Sequence, residues 1–291
     1  MFEPRQPGLL RYPGGKSKVA RTIVTIIRTL FDSSSGISEY REPFCGGGAV
    51  GLRVVRDCPG FGSYWLNDAD PAMACLWRVV AERPDSLWLI LGLLEPSVGY
   101  FFDCKRLLCG IDRPEDLVNY DPVSIAAMKL ACHQMSFSGL GTMAGGPIGG
   151  ASQTCEYDVG SRFDPARIAK RIYEASELLA RVALHPDVCT CLDFEEVVTA
   201  GGDALFYLDP PHVRTCTCLY QMSFTLEDHL RLAEVLRGED RPWLLSYDRH
   251  EAIAGLYGGW ATIRTIPISY SIAGAVRSAE WLISNRPIDP P

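Results

Sequence analysis

A chain of 291 residues, 47% apolar and 22% charged, can bury one large core, or one core carrying an inserted unit. No apolar run approaches the ~20 residues of a membrane helix, and the opening MFEPRQPGLLRYPGGK has no secretory h-region, so a cytoplasmic protein without membrane contact is expected. The net charge of −7 excludes a uniformly basic nucleic-acid binder, and eleven scattered cysteines do not fit a compact disulfide scaffold.

In chain order, a glycine turn comes first, Pro13-Gly14-Gly15-Lys16. Val19, Ile23, Ile26, Ile27 and Leu30 then recur at helical spacing, and Ser33-Ser34-Ser35-Gly36 ends the pattern. Glu39 to Phe44 is expected to run as a strand into Cys45-Gly46-Gly47-Gly48, with a helix over Ala49 to Val55. A second strand ends at Trp65-Leu66-Asn67-Asp68, and Pro71 suits a first helical position. Gly139 to Gly150 is too glycine-rich for helix or strand and is expected as a long surface loop. Arg167 to Val182 carries the apolar stripe Ile168, Ile172, Ala175, Leu179 and Val182. In the last third, Val188 to Leu192, Ala204 to Leu208 and Trp243 to Ser246 read as strands, and Thr225 with Asp228 has capping-box spacing. Ile263 to Tyr270 and Glu280 to Ser284 are expected as a closing antiparallel pair. Strands alternating with helices predict an α/β fold with a mostly parallel sheet.

Four islands fall at the carboxyl ends of predicted strands, where open α/β sheets bind ligands: Pro43 to Gly48, Asn67 to Asp70, Leu192 to Phe194, and Asp209 to His212. The glycine turn permits close backbone approach. It lacks the Gly-x-Gly-x-x-Gly of dinucleotide sites, and Gly14-Gly15-Lys16-Ser17 lacks P-loop spacing, which disfavours NAD or ATP. Asp68 can accept ribose hydroxyls or cap the helix at Pro71. Asp209-Pro210-Pro211-His212 places a carboxylate beside a carbonyl on a stiffened, donor-poor segment. Such a double acceptor suits the two N–H groups of an exocyclic amine, with an aromatic ring alongside to stack on an extruded base; a plain proline-rich turn is the alternative. Cys189/Cys191 and Cys216/Cys218 could together offer zinc four thiols. Their spacing is shorter than usual, and i, i+2 residues simply share a strand face, so no metal is expected. For phosphates, the candidates are Arg53, Arg56, Lys105, Arg106, Arg167, Lys170 and Arg171.

In this order the pieces resemble the Dam-like, alpha-group DNA adenine-N6 methyltransferases, over roughly residues 8 to 285. The pieces are Arg11 to Lys16, Arg41 to Gly48, Asn67-Asp68, Asp193-Phe194, Asp209 to His212, and Leu245-Ser246-Tyr247-Asp248. The resemblance implies a Rossmann-like S-adenosylmethionine-dependent methyltransferase sheet with an inserted, mostly helical target-recognition domain. The catalytic domain would comprise residues 1–75 and 183–291, and the insert 76–182. It implies S-adenosylmethionine as donor, double-stranded DNA as partner, and a monomer. Tyr12, Gly14, Lys16, Pro43, Phe44, Gly46 and Gly48 would border the cofactor, Asp68 would hold its ribose, and Asp193 and Phe194 its adenine. Asp209, also beside the cofactor, would with Pro210, Pro211 and His212 form the catalytic segment. Phe137-Ser138-Gly139-Leu140 is similar to the Phe-Asn-Gly-Leu that opens the family's recognition hairpin, which would set the Gly-rich loop against DNA. His212 departs from the family's tyrosine, Ser138 from its asparagine, and Val213 to Tyr220 is shorter than usual.

The expected reaction is direct attack of adenine N6 on the sulfonium methyl, without a covalent enzyme intermediate. Two alternatives stay open: another amino target such as cytosine N4 or a glutamine side chain, and a catalytically weakened homologue that binds DNA or cofactor.

Overall fold

The computed structural model describes residues 8–10, 16, 19–213, 224–270 and 276–288. Its strands are β1 (Glu39–Glu42), β2 (Ser63–Asn67), β3 (Leu184–Thr190), β4 (Ala204–Leu208), β5 (Trp243–Asp248), β6 (Thr262–Tyr270) and β7 (Val276–Ser284). They form one seven-stranded sheet in the order β3-β2-β1-β4-β5-β7-β6. β1 to β5 are parallel, and β7 runs antiparallel between β5 and β6. The α/β expectation and the closing antiparallel pair both hold.

Side-chain alternation builds a core on each face of the sheet. Tyr40, Leu205, Tyr207, Leu244 and Leu282 pack against α1 (Ala20–Ser33) and α2 (Gly51–Asp57). Phe206, Leu208, Trp243, Leu245, Tyr247 and Ile283 point the other way. They meet α8 (Phe194–Thr199), α9 (Leu226–Arg237) and α10 (Glu251–Tyr257). This two-sided burial explains why Ala204 to Leu208 is apolar throughout. The stretch between β2 and β3 forms a third core. It is built from α3 (Pro71–Glu82), α4 (Pro84–Gly92), α5 (Val98–Leu108), α6 (Pro122–Met135) and α7 (Pro165–Leu179). Three of these helices start with an aspartate cap followed by proline, at Asp70, Asp121 and Asp164. α3 is continuous across residues 75 and 76. Among the described residues no helix is long and apolar enough to cross a membrane.

Two local expectations are corrected. Gly139 to Gly150 is not a surface loop: Gly139, Gly141, Thr142, Ala144, Pro147 and Ile148 are buried. The segment holds two 3-10 turns, Phe137–Gly139 and Gly141–Met143, and closes on an antiparallel bridge between Ser136 and Pro147. The cause is close approach: a Cβ on Gly141 would lie 2.6 Å from Nε2 of His133 beneath it. β3 also starts earlier than expected, because this edge strand tolerates Pro186. It passes through a register shift opposite Tyr64/Leu66, with Val188 at a φ of 61°.

At the carboxyl edge, buried Asn67 ties three strand ends together. Its Nδ2 donates to the carbonyls of Pro43 (2.9 Å) and Leu192 (3.1 Å). Its Oδ1 accepts from Leu192 N–H (2.9 Å) and the Thr190 hydroxyl (2.6 Å). Asn67→Leu, similar in volume, leaves these groups without partners. It is expected to lower the unfolding free energy by about 3 kcal/mol or more, as read by urea denaturation.

Candidate active site

β1 pairs with both β2 and β4, so the chain winds outward from this point in both directions. The register Glu39↔Ala204 and Arg41↔Phe206 makes the turns after β1 and β4 leave the same sheet edge side by side. This is the switch-point crevice at which open α/β sheets bind ligands. It brings Pro43 to Gly48 next to Asp209 to His212.

On the β1 side, Gly46 and Gly48 take positive φ values, 46° and 68°. A Cβ on Gly48 would fall 2.4 Å from the Trp77 ring, so only glycine fits. Trp77 Nε1–H donates to the Gly46 carbonyl (2.9 Å), and Gly46 N–H donates to Oδ2 of Asp68 (2.8 Å). Asp70, not Asp68, caps α3, accepting from Ala72 and Met73 N–H. Asp68 is left to brace the glycine turn and to accept Asp70 N–H on Oδ1 (2.9 Å). Burial, reinforced by the Asp70 charge, pushes its carboxyl up to about 6 against the pull of two N–H groups and Lys129. Glu42, at the end of β1, was missed by the sequence reading. It is buried, takes the Tyr40 hydroxyl (2.8 Å), and sits 2.5 Å from where a Gly51 Cβ would be. Burial lifts its carboxyl well above the ordinary range; the Tyr40 hydroxyl opposes this and the charges of Asp209 and Asp68 add to it. The available signal was an acid closing a strand whose other inward residue is aromatic.

On the β4 side, Oδ1 of Asp209 takes the Lys16 ammonium (2.8 Å) and the Ser246 hydroxyl (2.8 Å). Tyr207 Oη lies 2.9 Å from the same Ser246 oxygen. Lys16 also pairs with Glu280 on β7 (3.3 Å); the two are 3% and 1% exposed. Pro210 is buried and Pro211 half-buried. His212 is held through Nδ1, 3.1 Å from Asp248 N–H and 3.2 Å from Oδ1 of Asp248, while Nε2 faces Glu280 at 4.0 Å. Burial works against Asp248, yet His212 and the Val213 N–H hold its carboxyl below the usual range. Glu280 and Ser246 were not singled out from sequence. An acid directly before the apolar run Trp281 to Ile283 was the visible clue for the former.

Asp193 and Phe194 open α8 beside this crevice. Asp193 forms a capping box with Glu196. Arg231 grips both Asp193 oxygens (2.8 and 3.1 Å) and lies 4.5 Å over the Phe194 ring. Phe44, Phe194 and Phe224 pack mutually with centroids 5.7 Å apart. Tyr12 and Gly14 lie outside the described residues, as do Cys216 and Cys218. Cys189 contacts Cys45 (Sγ–Sγ 3.8 Å), whereas Cys191 faces the Ala69 carbonyl; the nine described cysteines are free thiols.

The basic candidates are engaged within the chain. Arg53 and Arg56 pair with Asp57, Arg106 with Asp103, Arg167 with Asp164, and Lys170 with Glu174. Lys105 donates to the Ala144 carbonyl. Arg53 and Arg171 line an open cleft between the glycine turn and α7.

The family described as MethyltransfD12, D12 class N6 adenine-specific DNA methyltransferase, matches residues 12–266. The chain belongs to this family. It is therefore an enzyme that methylates the N6 amino group of adenine in DNA, and neither cytosine N4 nor a homologue without turnover is favoured. Two structures of an rRNA methyltransferase, aviRa from Streptomyces viridochromogenes, align over 98% of this chain and 88% of theirs. Their identities are 12% and 11% and their TM-scores 0.39 and 0.36, too loose a likeness to bear on function. A search of curated proteins finds no match.

The Asp68 carboxyl has a sign that stability measurements can read. An unfolded aspartate titrates near about 3.9 and the folded one near about 6, so the folded state binds this proton more tightly. The group favours folding fully below about pH 4, and that contribution is lost as pH rises through about 6. Urea unfolding from pH 4 to 8 is expected to show this increment in the parent and not in Asp68→Asn; equal pH slopes would contradict the assignment.

Proposed function

We propose that the chain transfers the methyl group of S-adenosylmethionine to adenine N6 in double-stranded DNA by direct attack, through the crevice between β1 and β4. The observation that carries this is the pairing of β1 with β4, which sets the Asp209 turn beside the glycine turn. The residues present fit such a cofactor. Asp68 ends β2 with spare lone pairs on both oxygens for ribose hydroxyls. Phe44, Phe194 and Phe224 offer apolar surface for a purine. Asp68 and Asp209, partly exposed carboxylates after β2 and β4, suit a cationic ligand, with Glu42 and Glu280 buried behind them. When bound, S-adenosylmethionine supplies an electrophilic methyl group on a sulfonium.

Asp209 and the Pro210 carbonyl then act as paired acceptors for the target amine. Lys16 and Ser246 occupy Oδ1 of Asp209, which leaves Oδ2 for one N–H. The carbonyl of Pro210 takes the other, and the nitrogen lone pair faces the methyl group. Adjacent prolines fix this geometry and add no competing N–H. Catalysis comes from positioning and oriented acceptors; the amine proton leaves after attack, so Asp209 need not be a strong base. His212 supplies the ring against which the extruded base stacks. Residues 76–182 form the recognition unit, packed through a shared apolar core onto Leu52, Leu66 and Cys189 of the catalytic one, residues 1–75 and 183–291. Phe137, 65% exposed at the mouth of the Ser136–Pro147 turn, faces outward from that unit. The enzyme acts as a monomer in the cytoplasm.

Asp209→Ala is expected to reduce methylation of unmethylated DNA by about a hundredfold or more. Labelled S-adenosylmethionine with nucleoside mass spectrometry reads both the rate and the N6-methyladenine product. Parent-like turnover in a folded Asp209→Ala protein would end this mechanism.

His212→Ala is expected to lower kcat/KM by about one to two orders of magnitude, the range of a lost base-stacking contact. His212→Tyr retains an aromatic face and is expected to match or exceed the parent. Collapse of the tyrosine variant would assign the imidazole a role other than stacking.

A further inference from the structure

One buried ion pair joins the helical unit to the sheet edge. Lys129 lies mid-way along α6 and is 2% exposed, among Ile125, Ala126 and Leu130. Its ammonium reaches Oδ2 of Asp70, the cap of α3. Oδ1 of Asp70 takes the N–H groups of Ala72 (2.9 Å) and Met73 (3.1 Å). Asp70 donates its own N–H to Asp68, whose other oxygen takes Gly46 N–H. A continuous polar path therefore runs from α6 through Asp70 and Asp68 to the glycine turn.

Helix capping does not account for Lys129. A neutral serine or asparagine caps as well as aspartate and needs no buried cation. Taking an ammonium out of water is costly, and well-packed apolar residues often replace a buried ion pair without loss of stability. What the pair adds is a positive charge beside two carboxylates that stand two residues apart. We propose that Lys129 is a positioning residue for the cofactor site: by holding and neutralising Asp70 it keeps Asp68 ionised and aimed at the ribose, so the helical unit sets cofactor affinity. This rests on the reading of Asp68 as the ribose acceptor.

The groups facing Asp68 come from every neighbouring element: Glu42 from β1, Cys45 from the glycine turn, Asp70 from the α3 cap, Lys129 from α6 and Cys191 from the segment after β3. Burial pushes the Cys45 and Cys191 thiols up, Cys191 to about 12, and lifts Glu42 well above the usual range. Both thiols are therefore neutral over the pH range in which Asp68 titrates, while Glu42, lifted by burial and by the Asp68 charge, stays uncharged to higher pH than an ordinary carboxyl. The charges that change Asp68 are Asp70, which raises its carboxyl, and Lys129, which lowers it.

The test reads S-adenosylhomocysteine binding by calorimetry between pH 5.5 and 9. In parallel, ¹³C NMR of [¹³Cγ]aspartate-labelled, ligand-free protein follows Asp68, assigned from the Asp68→Asn spectrum. In the parent, binding is expected to weaken as pH falls through about 6. Lys129→Met is expected to move both midpoints up by about half a unit or more and to weaken binding about three- to tenfold at pH 7, with recovery by pH 9. Lys129→Arg is expected to restore the parent profile. Asp70→Asn should move both midpoints down, and Asp70→Asn with Lys129→Met should bring them back near the parent. A purely structural lysine would not give these opposed shifts. Should Lys129→Met fail to fold, Lys129→Gln, neutral but able to hydrogen-bond Asp70, carries the same expected upward shift of both midpoints. Unmoved midpoints in folded variants overturn the proposal; if Asp68→Ala still weakens binding, the ribose reading survives that failure. An NMR shift without any change in binding overturns the proposal through the ribose reading.

Discussion

The parallel pairing of β1 with β4 is the constraint on which the rest depends. Because β1 leads outward to β2 and β3 while β4 leads to β5 and the β7–β6 pair, the two turns at the switch point have no strand between them. A crevice must open there, whatever the side chains. The side chains then decide its use. Gly46 and Gly48 fold the first turn back onto Trp77 and Asp68. Pro210 and Pro211 stiffen the second. Asn67 holds the exits of β1, β2 and β3 in register, so an error at one exit is passed to the others.

Electrostatically, the carboxyl edge is dense with acids: Glu42, Asp68, Asp70, Asp209, Asp248 and Glu280. Two buried lysines answer them, Lys16 on Asp209 and Glu280, and Lys129 on Asp70. Burial raises both Glu42 and Asp68, which means the folded chain holds their ionised forms at a cost. A protein selected for stability alone would place apolar or amide side chains there. Strain of this kind concentrates at functional sites, and it favours a cationic ligand, whose charge lowers the penalty on binding. The overall charge of −7 is consistent with an acid-lined crevice, and it leaves DNA to be met by a local surface rather than by the net field.

Much of this was legible in the sequence, for identifiable reasons. Ala204 to Leu208 read as a buried strand because both of its faces are covered, and Thr225 with Asp228 read as a helix start because a capping box is a local contact. The four islands at strand ends were visible because glycine, proline and acid are rare in those positions by chance. What escaped depended on long-range packing. Composition alone gave Gly139 to Gly150 as surface, yet Gly141 presses the backbone onto His133 and Gly149 packs against the Tyr157 carbonyl. Asp68 read as the possible cap of α3, but Pro71 at the first helical position puts Asp70 in the cap register, where the geometry places it. Glu42 and Glu280 are single acids inside strands, and their convergence on the crevice is set by sheet order, which pattern reading does not supply.

The departure at position 212 follows from the same physics. A phenol fills a pocket by its size and keeps its plane by packing. An imidazole is smaller, and its plane has to be fixed through its nitrogens. Here the two nitrogens face different strands, Nδ1 toward Asp248 at the end of β5 and Nε2 toward Glu280 on β7. Nδ1 lies within reach of both the N–H and Oδ1 of Asp248, so the tautomer follows from which of the two it engages. Glu280 is in turn bound to Lys16, and Lys16 to Asp209. The ring proposed to stack on the base and the carboxylate proposed to hold its amine are thus joined through one carboxylate and one ammonium. A substitution at Glu280 would disturb both ends of that link while touching neither base nor cofactor, whereas a change at Asp248 would loosen the ring alone.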